Sequence, residues 1–150
     1  GAASGDNGLD LAGLAAREGV ADLVTFSGPV PAPALAAQFR AADVVAMPSA
    51  SETYGLVALE AQACGTPVLA HRVGGLVYAV LDGVSGRHVT AGTPEAWAEA
   101  LAEILADRDA WAALGTGAVR HAAGHSWEAY ADGLLEAVTA VPRRSPGLDA

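Results

Sequence analysis

Three features of the chain predict an α/β fold built on a parallel sheet. Short apolar runs at 43–47, 67–70 and 86–89 alternate with stretches whose apolar residues follow helical spacing. Glycine and proline punctuate the joints between them. Helical segments of about ten residues between successive strands supply the crossover that parallel neighbours require.

Residues 1–8 are small and polar and read as a loop. Leu9 to Glu18 places apolar residues at 9, 11, 14 and 15, a helix stopped by Gly19. Leu23 to Ser27 is a β-rich run closed by Gly28-Pro29, and Pro33 opens a helix through Arg40. Asp43-Val44-Val45-Ala46-Met47 is a strand, and its unbroken apolar run predicts burial on both faces. A helix follows from about Gly55 to Cys64, then the strand Val68-Leu69-Ala70. Gly74-Gly75 opens a helix to about Leu81, and a further strand covers Gly86 to Val89. Thr93-Pro94-Glu95 reads as cap, first-turn proline and first-turn acid. Helices are expected at 95–106, 108–123 and 127–140, closing a domain over 1–140, with a flexible tail at 141–150.

Composition narrows the function. At 150 residues the chain suits one domain with a core, which its 52% apolar and 5% aromatic content would build from Ala, Val and Leu. A net charge of −9, with every basic residue an arginine, leaves no basic stripe for nucleic acid. A phosphate ligand would therefore rest on backbone N–H groups, a few arginines, or cations from elsewhere. Cys64 is the sole cysteine, which excludes a disulfide or a cysteine-built zinc site within the chain. The start carries no secretory pattern and no apolar run nears the ~20 residues of a membrane span, so a cytoplasmic, soluble protein is expected.

The stretch richest in chemistry runs from Met47 to Glu60. A strand ends at Pro48, a polar loop follows, and a helix starts at Gly55. Ligands of open parallel sheets bind beyond the carboxyl ends of strands, and a helix start offers free N–H groups to an anion. Gly55, Leu56 and Val57 would supply them, and a glycine lets a phosphate approach the backbone closely. Glu52 and Glu60, eight positions apart, flank this start. A carboxylate accepts hydrogen bonds in pairs, which suits the vicinal hydroxyls of a sugar. Spacing alone favours a second reading: a first-turn acid stabilised by the helix dipole and a solvated loop acid.

This segment resembles the Glu-x7-Glu motif of retaining two-Rossmann (GT-B) glycosyltransferases, in the large family holding sucrose-phosphate synthases and bacterial mannosyltransferases. Val24-Thr25-Phe26-Ser27-Gly28, Phe39 to Ser49, Glu60 to Val68, Val73-Gly74-Gly75 and Asp82 to Gly86 match that family in order, over roughly 9–140. The resemblance implies that Glu60 binds the nucleotide ribose and that Glu52, the candidate catalytic residue, binds the transferred sugar. It places the backbone of Tyr54, Gly55 and Leu56 at the diphosphate and sugar, and that of Val30 near the base. Retention by front-face attack, helped by the leaving phosphate, requires no nucleophilic role for Glu52. No metal or cofactor is implied beyond a UDP-sugar donor. The wording Glu60-Ala61-Gln62-Ala63-Cys64-Gly65-Thr66-Pro67, with His125-Ser126-Trp127-Glu128, is most similar to the actinobacterial branch that begins mycothiol synthesis. That likeness implies N-acetylglucosamine as the sugar and an inositol phosphate as acceptor.

In the family, two further strands precede the point where Gly1-Ala2-Ala3 matches, and an Arg and a Lys after the first grip the diphosphate. The resemblance thus implies a partial Rossmann-like sheet, lacking those strands, with the acceptor domain outside this chain. The expected sheet is parallel in the order 43–47, 67–70, 86–89, with 23–27 either detached or docked beside 43–47. The competing expectation is a non-catalytic α/β nucleotide-binding or interaction module, since fold alone does not fix function. His71 and Arg72 read as surface or packing residues, and His88, His121 and His125 lack ligand spacing for a metal. Cys64 reads as a small buried hydrophobe, and Trp97, Trp111 and Trp127 as core or domain-bridging residues.

Overall fold

The computed structural model describes residues 10–140, so the expected tail at 141–150 lies outside them. The chain divides into two compact units, Gly1–Gln38 and Phe39–Ala150, each taken by itself.

In the first unit, Asp10 caps helix α1 (Leu11–Arg17) by accepting the Gly13 N–H at 2.9 Å. Gly19, at φ 70°, turns the chain into a 3-10 turn at Ala21–Leu23. The strand expected at 23–27 does not form: residues 24–27 are irregular, with Val24 and Phe26 exposed. A β-rich run needs a neighbouring strand for its N–H and C=O groups, and this run pairs with none among the described residues. Helix α2 (Ala32–Ala41) spans the division between the units.

The second unit holds the sheet. Strands β1 (Val45–Met47), β2 (Val68–His71) and β3 (Gly86–Val89) pair in parallel in the order β1-β2-β3, as expected. Val45 stands opposite Val68, and Val68 opposite Gly86. Burial on both faces belongs to the central strand rather than to 43–47. Val68, Leu69 and Ala70 are at most 1% exposed, whereas Ala46 of β1 is exposed. An edge strand has one neighbour to shield it, and apolarity of sequence does not supply the second.

Leu69 packs with Val89, Ile104 and Leu114, joining the sheet to helices α5 (Pro94–Ala106) and α6 (Arg108–Ala123). Half-buried Trp97 and Trp111 close this cluster, and the Trp111 indole donates to the Asp43 carbonyl at 2.7 Å. Helix α3 (Leu56–Ala63) buries Ala58, Leu59, Ala61 and Gln62. Gln62 Nε2 donates to Ala58 O and to Ala79 O at 2.7 Å, tying α3 to the single turn α4 (Leu76–Ala79). This turn is shorter than the expected 74–81 because Val80 is extended, at φ −124° and ψ 121°.

Helix α7 (Trp127–Ala140) has no buried residue, and Trp127 is 85% exposed, so it is no core residue. Cys64 is half-buried rather than enclosed. No helix among the described residues is long and apolar enough to cross a membrane.

Candidate functional site

The site is built where β1 ends and α3 begins. Gly55, the N-cap of α3, adopts φ 93° and ψ 36°, a left-handed conformation that side-chain-bearing residues avoid. It is also buried: a Cβ there would press on the Cβ of Ala79 and reach Leu76. The requirement for glycine is thus set by backbone twist and by α4. The room left by its missing Cβ is taken by Ala79 and Leu76.

Glu52 determines the loop's shape. One carboxylate oxygen accepts the N–H groups of Gly55 at 3.2 Å and Tyr54 at 3.3 Å. Its backbone carbonyl accepts the Gly75 N–H at 2.8 Å. A Cβ on Gly74 would strike the Glu52 carbonyl, and one on Gly75 the backbone of Thr53 and Tyr54. The Gly74-Gly75 pair therefore lets the loop lie directly on the start of α4. The Gly55 N–H expected to be free is held by Glu52. Those of Leu56 and Val57 meet no acceptor among the described residues.

Glu60 stands on the second turn of α3, on the exposed side it shares with Leu56 and Val57. It lines a groove of about 570 Å³ together with Tyr54, Leu56, His125, Trp127 and Tyr130. Tyr54, Gly55, Leu56 and Glu60 thus lie on one loop and helix start with Glu52. Val30 is half-buried in the first unit. The spacing of Glu52 and Glu60 gave no sign of His125, Trp127 and Tyr130, which reach the groove from more than 60 positions along the chain. Among the described residues that line it, Glu60 is the one carboxylate and none is an arginine.

The histidines serve the backbone. His71 donates from Nδ1 to Ser49 O at 3.0 Å and meets Trp97 edge-on, a packing role as expected. His88 donates to Leu76 O at 3.3 Å. His121 donates from Nε2 to Tyr78 O at 3.2 Å, and His125 from Nδ1 to His121 O at 3.0 Å. A carbonyl only accepts, so each ring nitrogen named carries the proton.

Burial, and then neighbouring His125, lower the His121 pKa below its ordinary 6.5. The folded protein thus resists a proton that the unfolded chain takes up. Stability should fall as pH drops below 6.5 toward the folded pKa, then level off. Urea midpoints at pH 7.5 and pH 5.5 check this, with His121→Gln expected to narrow the difference. An unchanged difference in that variant would remove His121 as the cause.

Residues 4–121 match the family described as glycosyl transferases group 1. The chain is 55% identical over 129 residues to a D-inositol 3-phosphate glycosyltransferase of Thermobispora bispora, covering 86% of this chain and 30% of that protein. It is 53% identical over 127 residues to the protein of the same name from Nocardia farcinica, covering 85% and 28%. Among solved structures it is similar to sucrose-phosphate synthase from Thermosynechococcus elongatus, at a TM-score of 0.79 and 35% identity, covering 91% of this chain and 36% of that one. It is also similar to Anabaena HepE in complex with UDP and glucose, at 0.76 and 27%, covering 88% and 36%. The chain spans about 30% of the length of these curated relatives. A match over most of its residues, on a parallel sheet with a glycine-capped helix start between two glutamates, establishes that the chain belongs to the glycosyl transferases group 1 family.

Proposed function

We propose that this chain supplies part of the donor site of a retaining glycosyltransferase, which moves N-acetylglucosamine from UDP to an inositol phosphate. The observation that carries the reading is the start of α3. There, Leu56 and Val57 N–H groups without an acceptor among the described residues lie between a loop carboxylate and a helix carboxylate. Glu60 takes the ribose hydroxyls and Glu52 the transferred sugar. The backbone of Tyr54, Gly55 and Leu56 takes the diphosphate. The names of the relatives support the acceptor, and UDP and glucose bound to HepE support the donor.

Because Glu52 holds the Tyr54 and Gly55 N–H groups, sugar binding requires its carboxylate to turn outward. Leu56 and Val57 supply anion contacts without that movement. The described residues lining the groove include no arginine, so positive charge for the diphosphate comes from beyond that lining. The helix dipole and these cations take the role a metal would otherwise fill.

The test is sugar transfer to inositol 3-phosphate from UDP-N-acetylglucosamine, with the GDP- and ADP-linked sugars as alternatives. A full-length protein carrying these residues should use the UDP donor, and residues 1–150 alone should transfer nothing. Transfer by the isolated chain would show that the acceptor site lies within it. A preference for GDP or ADP would overturn the donor.

A further inference from the structure

We infer that Tyr130, on the first turn of α7, is a positioning residue that fixes the loop Glu52–Gly55 through the Tyr54 ring. The inference rests on the donor reading of that loop. The loop is fastened at two points. The Glu52 carbonyl accepts the Gly75 N–H at 2.8 Å. The Tyr54 ring meets the Tyr130 ring at a centroid distance of 6.0 Å and an interplanar angle of 55°. That spacing lies within the range of attractive aromatic pairs.

These two fastenings belong to one closed circuit. The Tyr130 ring lies 6.5 Å from that of His125, which lies 4.5 Å from that of His121. His125 donates to the His121 carbonyl, and His121 donates to the Tyr78 carbonyl. The Tyr78 N–H returns to the Gly75 carbonyl at 3.0 Å, at the start of α4. A hollow of about 210 Å³ lies inside the circuit, lined by Thr53, Tyr54, Gly75, Tyr78, His125 and Tyr130 among others. The junction of α6 and α7 is thereby joined to Tyr54 of the donor loop and to Tyr78 of α4.

The Tyr130 hydroxyl makes no hydrogen bond among the described residues, so the ring alone performs the fastening. This separates two substitutions. Tyr130→Ala removes the contact and Tyr130→Phe keeps it.

Amide exchange on the 150-residue chain is the first measurement. In Tyr130→Ala, the Gly55 and Gly75 amides should exchange roughly fivefold faster, as expected from an aromatic pair's share of a local opening equilibrium. Leu69 and Ala70 in the central strand should keep their rates, and Tyr130→Phe should restore both glycines. Unchanged glycine rates in Tyr130→Ala would overturn the inference. So would equal acceleration of the β2 amides, which marks general destabilisation.

UDP binding to a full-length protein carrying these residues is the second measurement. Affinity should fall roughly fivefold in Tyr130→Ala and recover in Tyr130→Phe. Equal affinity in wild type and Tyr130→Ala would overturn the positioning role. If the exchange result holds but the wild-type protein binds no UDP, the donor reading fails while the fastening of the loop stands.

Discussion

Replacing Glu60 by alanine in a full-length protein carrying these residues should weaken UDP-sugar binding by about 2 kcal/mol, roughly a 30-fold rise in Kd. The carboxylate is exposed on the second turn of α3 and makes no hydrogen bond or ion pair among the described residues. Its removal therefore breaks nothing in the fold, and alanine is the better helix former. The whole effect should appear in binding, with the thermal midpoint unchanged. Glu60→Gln should recover part of the loss, because an amide still offers a carbonyl acceptor to a sugar hydroxyl but lacks the charge. Titration calorimetry with UDP, with UDP-N-acetylglucosamine and with free N-acetylglucosamine separates the contributions. A role at the ribose predicts that UDP and the UDP-sugar suffer equally. Undiminished UDP affinity in Glu60→Ala would remove this residue from the donor site.

A large effect on stability at the site is expected from Gly75. An alanine Cβ there would enter the backbone of Thr53 and Tyr54. Backbone yields less than a side chain end, so the loop must separate from α4, at a cost of roughly 1–3 kcal/mol. The separation also stretches the hydrogen bond from the Gly75 N–H to the Glu52 carbonyl. Gly92→Ala is the control, since a Cβ there meets nothing within 4 Å. Urea unfolding should place the Gly75→Ala midpoint well below both wild type and Gly92→Ala. Donor binding should be lost in Gly75→Ala even under conditions where the protein stays folded. Equal midpoints for the two variants would show that the loop does not rest on α4.

The sequence by itself determined the local order. Alternating strands and helices, and the helices at 95–106, 108–123 and 127–140, follow from periodicity, caps and glycines, whereas the strand order 43–47, 67–70, 86–89 is implied by the family resemblance. These signals act between near neighbours, and each is complete within a dozen residues. The same holds for Glu52 and Glu60, whose placement around the start of α3 needs only the strand–loop–helix order.

Tertiary structure decided what depends on a partner. The run 23–27 has β-type residues but no neighbouring strand, so it stays irregular. The apolar strand β1 is exposed at Ala46 because it lies at an edge. The missing Cβ of Gly55 reads as room for a ligand until Ala79 is seen to occupy that position. The Glu52 carboxylate reads as free until Tyr54 and Gly55 are found to donate to it. His125, Trp127 and Tyr130 reach the groove beside Glu60 only once α6 and α7 have packed. Burial and hydrogen-bond pairing are properties of two surfaces together, and a linear sequence states only one of them at a time.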